Sequence, residues 1–387
     1  MRSHSETAVG PLRRYPTGTP PLGAVQRPLR QPWVKLLLLA VLVKLALTGV
    51  TLFAYGAAPD PLTALGREWD QWDARHYLYL ATHGYGASGD AKNLIAFFPL
   101  YPALIGAISS IGLPARLVAL LISNVAGVLA AILLYEVARG DRDENTAFRA
   151  AAFFTVFPTA YFLLVGYTEA LFCALAFGAV LAARRQRWMA SGMLGGLAAA
   201  TRLTGIALIP FLLIEMLAAR RVASFIQLLA PPALIALGIA VYLTTNQLVL
   251  GNPFAFVTVQ RQHWSHSFSA PWVGFASAIR SIGWRPPWEK LTVGAGEISG
   301  GIVAYATATL SWLRLRPADA AYATILTVMV TFLPFWLSIP RYLLSLYPLF
   351  LLVGRIRQRW VYLPMVAVSF VALIVFGLAF GRGYWAF

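Results

Sequence analysis

Residues 33–55 form an almost unbroken apolar run whose only charges are Lys35 and Lys44. A helix needs about 20 such residues to cross a hydrocarbon core about 30 Å thick, so this segment alone directs the chain into a bilayer. Further apolar runs lie at 98–113, 116–138, 147–165, 167–183, 188–201, 203–217, 226–246, 298–313, 320–338, 341–353 and 360–380. Composition agrees: 59% of the 387 residues are apolar and 12% charged, against roughly 45–50% and 25% in soluble domains. The sequence therefore reads as an all-α polytopic membrane protein and excludes a soluble multidomain fold.

The net charge of +16 would suggest a nucleic-acid partner in a soluble chain. Here the basic residues cluster at the ends of apolar runs, at Arg139/Arg142/Arg149, Arg184/Arg185/Arg187, Arg220/Arg221, Arg314/Arg316 and Arg355/Arg357/Arg359. That spacing is the imprint of the positive-inside rule, under which short cytoplasmic loops collect Lys and Arg; nucleic-acid binding is not expected. Residues 1–33, with six prolines and no apolar periodicity, read as a disordered basic cytoplasmic tail. The run at 33–55 starts too late for a cleavable signal and is long enough to anchor. Residues 34–387 then form the membrane domain. Its first extracytoplasmic loop is 57–114, with interfacial helices, and its second is 247–297. Pro99, Pro102 and the Leu113-Pro114 break mark 98–113 as an interfacial helix. Placing every basic cluster inside gives about 11 spans with the C-terminus outside. The single cysteine, Cys173, excludes an intrachain disulfide.

On this topology the unusual polar residues gather on the outer face. The stretch Glu68-Trp69-Asp70-Gln71-Trp72-Asp73-Ala74-Arg75-His76-Tyr77 is dense in carboxylates and aromatics. As one helix it would put Asp70, Asp73 and Tyr77 on one face, and Trp69, Trp72 and His76 on the neighbouring face. The tryptophans would anchor it at the interface. An aromatic belt with solvated acids and a catalytic carboxylate site predict the same pattern, and periodicity does not choose. Glu169 sits at the outer end of an apolar run, and Lys44 midway along the first. A charge at mid-membrane costs roughly 2.5–3.5 kcal/mol on insertion scales, so such residues face a cavity or a partner. Lys44 is expected to snorkel or to join helices. Arg202 and Arg341 interrupt apolar stretches against the positive-inside trend. A planar guanidinium suits phosphate oxygens, and pairing with Glu169 or Asp73 is the other role open to them.

His263 and His266 have the i, i+3 spacing of a metal pair, but no further Cys or His supports a zinc site. No cofactor is expected, and a divalent metal is disfavoured. No phosphate-binding glycine loop, nucleophile elbow or His-Glu-x-x-His pair occurs, so nucleotide hydrolysis within this chain is not expected.

Five motifs in order now resemble a known family. They are Trp72-Asp73-Ala74-Arg75-His76-Tyr77-Leu78 with His83-Gly84-Tyr85 and Ala96-Phe97-Phe98-Pro99-Leu100-Tyr101-Pro102; Phe157-Pro158 with Tyr167-Thr168-Glu169; Thr201-Arg202 with Thr204-Gly205; Gly251-Asn252-Pro253-Phe254-Ala255-Phe256 with Gln260 and Trp264; and Pro340-Arg341-Tyr342. The pattern resembles the GPI mannosyltransferases that add the second mannose, and their bacterial relatives. These belong to the C-type glycosyltransferases, multi-span enzymes that use a polyprenyl-phosphate sugar outside the cytoplasm. The resemblance implies a C-type glycosyltransferase fold and an inverting transfer of mannose to a lipid-linked or glycan acceptor. It implies an extracytoplasmic site in the cell membrane, or the ER membrane in a eukaryote. It also implies Asp73 as the catalytic carboxylate, acting as general base, with Asp70 a nearby duplicate. Arg202, Arg341, Glu169, Tyr342, His76, Gln260 and Trp264 would bind the donor's phosphate or sugar.

A lipid or solute transporter is the main rival. It predicts paired inverted repeats and charges concentrated at mid-membrane, whereas here the polar residues cluster at one face. A non-catalytic scaffold would need no carboxylate–arginine set, and a metal-dependent hydrolase lacks ligands.

Overall fold

The computed structural model describes residues 32–55, 61–219 and 224–387. The reading of 1–33 as a disordered tail falls, except for its last two residues, outside the described residues. Among those residues every regular element is helical.

The first long helix, α1 (Pro32–Tyr55), is followed by a cluster of short ones: α2 (Pro61–Trp69), α3 (Asp73–His83), a 3-10 turn over Gly89–Ala96, and α4 (Leu100–Ser109). Then come α5 (Ala115–Asp141), α6 (Glu144–Thr155), α7 (Glu169–Arg184), α8 (Trp188–Thr201), α9 (Leu208–Ala219) and α10 (Phe225–Leu250). The chain continues through α11 (Ala255–His263), α12 (Pro271–Trp284), the single turn α13 (Pro287–Glu289), α14 (Glu297–Arg314) and α15 (Pro317–Thr331). It closes with the turn α16 (Ile339–Tyr342), α17 (Tyr347–Gly354) and α18 (Arg359–Gly381).

Four described helices, α1, α5, α10 and α18, are long and apolar enough to cross a membrane by themselves. The expected count of about 11 therefore depends on shorter elements such as α7, of 16 residues, and α17, of 8. Most of α7 and nearly all of α17 are buried, and broken or short backbone at membrane depth is tolerated where protein rather than lipid surrounds it. The helix α4, ten residues long, is bent by 115° from the preceding 3-10 turn. At 1.5 Å per residue it is about 15 Å long, half the core thickness.

Helix α7 is the hub. It packs on α5 and α8, and α8 packs on α10. Phe172, Cys173 and Phe177 of α7 are fully buried, with Phe177 edge-on to Phe154 and Tyr347. The α8–α10 seam is made of small residues: a Cβ on Gly196 would lie 2.4 Å from the Leu234 carbonyl oxygen, and one on Gly238 2.0 Å from that of Gly196. Such backbone contact is how membrane helices gain dispersion energy where no hydrophobic effect acts between them.

Two polar devices hold the bundle. Lys44 Nζ donates to the Leu163 carbonyl at 2.5 Å, so the mid-membrane lysine joins α1 to the irregular segment after α6. At the end of α7 away from Glu169, Arg184 contacts Asp141 at 2.5 Å and both carboxylate oxygens of Asp319 at 2.7 Å. Arg316 bonds to Asp141, and Tyr347 donates to Asp319 at 2.5 Å.

One conditional reading is corrected, and one long loop gains internal structure. The stretch 68–77 is not one helix: α2 stops at Trp69 and α3 starts at Asp73, because Trp72 takes φ 51°. The second outer loop, 247–297, is helical through α11, α12, α13 and a π-helical turn at Lys290–Gly296.

Candidate active site

Two of the four central charges sit at helix starts whose dipole matches their sign. Asp73 is the first residue of α3 and Glu169 the first of α7, where free N–H groups favour a carboxylate. Arg202 sits in extended conformation between the C-terminus of α8 and a 3-10 turn over Leu203–Ala207. Arg341 lies in α16, just after Ser338, which occupies the left-handed region at φ 67°.

These four side chains form one chain of ion pairs. Arg341 Nη1 lies 3.2 Å from Asp73 Oδ2, and Arg341 Nε lies 3.2 Å from Glu169 Oε1. Arg202 bonds to the same Glu169 oxygen and donates to Thr168 Oγ1 at 2.8 Å. The Tyr342 ring lies against both guanidinium groups, 5.0 Å from Arg202 and 5.5 Å from Arg341, a cation–π arrangement shared by the two. Glu169 is 1% exposed while Asp73 is 26% exposed, so the chain runs from a buried anchor to an accessible carboxylate. Glu169 Oε2 is buried without a hydrogen-bond partner. Asp73 Oδ1 has none among the described residues.

The break before Asp73 is held from below. Tyr167 Oη accepts from the Asp73 N–H at 3.1 Å and donates to the Gln71 carbonyl at 3.0 Å. Trp72, in a conformation disfavoured for a bulky residue, packs edge-on against Trp385 at 5.2 Å. This break separates the two candidate acids. Asp70 turns away to bond Arg116, whose side chain is 43% exposed. Burial pushes the Asp70 carboxyl above its usual range, and Arg116 opposes the shift. The structure thus brings Asp73, Glu169, Arg202, Arg341 and Tyr342 together and leaves Asp70 outside.

The remaining candidates form a second group on one aromatic ring. Phe97 meets His76 at 5.2 Å, Trp264 at 5.8 Å and Tyr77 at 5.1 Å. Tyr77 Oη is 3.4 Å from Thr168 Oγ1, which links this group to the charged one. Gln260 accepts from the backbone N–H groups of Trp264 and His266, and its Oε1 lies 3.1 Å from His266 Nδ1. Gln260 therefore shapes the turn that carries Trp264.

Among the described residues no group of three His, Cys, Asp or Glu side chains is disposed to hold a metal ion. His266 is instead a half-buried neutral ring. Desolvation pushes its pKa down, and Arg341 adds to this while Asp73 opposes it. A depressed imidazole pKa means that the unfolded chain binds the proton first, so stability is full above the ordinary value of 6.5 and is lost as pH falls below it. The thermal midpoint should drop between pH 7.5 and 5.5, and His266→Gln should flatten that slope. An unchanged slope in the variant would assign the acid sensitivity elsewhere.

Sequence reasoning missed Glu297. It is fully buried, and its carboxylate accepts the Ser338 N–H at 2.6 Å and the Ile339 N–H at 2.8 Å, fixing the turn that presents Arg341. Its only sequence signal is an acid opening an apolar run. Glu297→Ala should cost about 1–3 kcal/mol for each amide left unpaired, while Glu297→Gln, which keeps one acceptor oxygen, should lose less. Thermal unfolding in detergent reads both, and equal losses would deny the carboxylate this role.

Comparison with known proteins adds the following. The profile of the family described as Mannosyltransferase (PIG-V) matches residues 63–291. GPI alpha-1,6-mannosyltransferase 2 of Rattus norvegicus is 36% identical over 169 residues, 41% of this chain and 34% of that protein. The Mus musculus protein of the same name is 34% identical over 212 residues, 52% of this chain and 41% of its own length. The chain thus matches well under half the length of these curated relatives. Among solved structures, ArnT from Cupriavidus metallidurans bound to undecaprenyl phosphate aligns with TM-score 0.49 at 15% identity, covering 87% of this chain and 62% of ArnT. The Archaeoglobus fulgidus oligosaccharyltransferase complex with Zn and sulfate aligns at 0.46 and 13%, covering 92% and 53%.

Proposed function

The chain belongs to the PIG-V mannosyltransferase family, and from that premise we propose that it is an integral-membrane mannosyltransferase using a polyprenyl-phosphate-mannose donor. The acceptor is a hydroxyl of a lipid-linked or glycan molecule at the extracytoplasmic face. The observation that carries this reading is the ion-pair chain ending in an accessible Asp73 carboxylate held by Arg341.

The reaction is a single displacement. The acceptor oxygen forms a bond to the anomeric carbon as the bond from that carbon to the phosphate oxygen breaks, which inverts the centre. Asp73 takes the hydroxyl proton, and the polyprenyl phosphate leaves with the bonding electron pair. The leaving phosphate gains negative charge, and Arg341 and Arg202 are the cations available to receive it, a form of stabilisation that often dominates group transfer. An incoming phosphate competes with Asp73 for Arg341, so donor binding itself releases the carboxylate to act as base. Glu169 holds both arginines through Oε1 and so positions them for the phosphate. The mechanism needs no metal.

The test uses purified chain in nanodiscs, radiolabelled polyprenyl-phosphate-mannose and a total membrane lipid and glycan extract. Label should move to an acceptor and should still move, within about two-fold, in EDTA. Loss in EDTA with rescue by a divalent ion would overturn the metal-free mechanism. If the labelled donor binds and binding falls in Arg341→Ala while no label moves, the phosphate site stands but the sugar or acceptor is wrong. No donor binding would overturn the proposal and favour a transporter.

A further inference from the structure

Helices α5, α7 and α8 leave an open apolar groove of about 750 Å³ between them. Its walls include Val118, Val125 and Leu133 of α5, Leu175 of α7 and Leu194 of α8. Val125 is 65% exposed, so the groove opens outward, to lipid in a bilayer. One end runs beside Leu171, near Glu169; the other ends at Arg185 and Arg187.

That far rim carries unbalanced charge. Arg139 and Arg185 share a single carboxylate, Glu136, at 2.8 and 3.1 Å. Arg187 is exposed and has no ion pair among the described residues. Three arginines thus meet one glutamate here, and two of them, Arg185 and Arg187, line the end of the apolar groove. Basic pockets between membrane helices are where phosphate headgroups bind.

We propose that this groove is a binding site for an anionic phospholipid, with the chain along α5 and α7 and the phosphate on Arg185 and Arg187. The lipid is distinct from the donor substrate. Helix α7, of 16 residues, separates Glu169 from Arg185, which is about 24 Å at 1.5 Å per residue, so a phosphate on this rim is out of reach of Asp73 and Arg341. The occupant belongs to the leaflet opposite the candidate active site and leaves that site free. The inference does not rest on the transferase reading.

The experiment exposes purified full chain to mixed micelles with equal phosphatidylglycerol and phosphatidylcholine, then counts retained lipid by native mass spectrometry. Wild type should retain phosphatidylglycerol at least ten-fold over phosphatidylcholine. Arg187→Ala should reduce that preference about five-fold, the worth of one arginine near a membrane surface, and Arg185→Ala with Arg187→Ala should abolish it. The double lysine variant should keep it within about two-fold. Val125→Trp, which fills the groove and spares the rim, should lower retention of both lipids. Arg187→Ala leaves no ion-pair partner behind, so it remains informative if the double variant unfolds. Equal retention of both lipids by wild type, or an undiminished preference in Arg187→Ala, would overturn the site. So would displacement of phosphatidylglycerol by polyprenyl phosphate to the same extent in wild type and the double alanine variant, which would make the groove the donor's tail site.

Discussion

Asp73→Asn should lower mannosyl transfer by about 10²–10⁴-fold, the usual worth of a positioned general base, while Asp70→Asn should stay within a few-fold of wild type. The substitution keeps the shape of the side chain and its place at the start of α3, so folding and donor binding should persist. Only the proton acceptor is lost. Asp70 has the same chemistry three residues earlier, yet its carboxylate is bonded to the exposed Arg116 rather than to the charged chain. Initial rates with labelled donor, alongside donor binding by filtration, separate loss of catalysis from loss of affinity. Equal losses in the two variants would mean that the loop acts as a negatively charged surface, and Asp73 would lose its assignment.

Glu169→Leu should destabilise the protein by about 3–5 kcal/mol, because removing one partner of a buried ion pair leaves the other charge uncompensated. Here the loss is doubled in kind: Arg202 and Arg341 both depend on Oε1. The second arm is Glu169→Leu combined with Arg202→Leu. Replacing both members of a buried pair by apolar residues is often nearly neutral, so the double variant should recover more than half of the loss. Thermal unfolding in detergent measures both. A surface pair within one helix, Glu136–Arg139, is the control, since its removal is worth about 0–1 kcal/mol. A loss below about 1 kcal/mol for Glu169→Leu would show that the arginines find other partners, and the anchor role would fall.

The membrane class was legible because apolar run length is a local property that the bilayer thickness reads directly. The positions of Glu169, Arg202 and Arg341 were legible for a related reason: a charge interrupting an apolar stretch is conspicuous whatever it contacts. Lys44 shows the limit of that signal. Its cost at mid-membrane implied a partner, but the partner is a backbone carbonyl at Leu163, which no sequence pattern marks. The helices of 247–297 were missed for the opposite reason, since short polar helices such as α11 carry too little apolar periodicity to stand out.

By itself the sequence determined a polytopic helical protein, the gathering of its unusual charges, and a family resemblance carried by five ordered motifs. Tertiary structure alone decided which of Asp70 and Asp73 joins the ion-pair chain. That choice rests on a positive φ at Trp72, supported by Trp385 and by Tyr167 from distant segments, and on a partner, Arg341, 268 residues away from Asp73. Hydrophobic length is written residue by residue along the chain. Which carboxylate meets which guanidinium depends on where helix ends converge, and only the packed bundle specifies that.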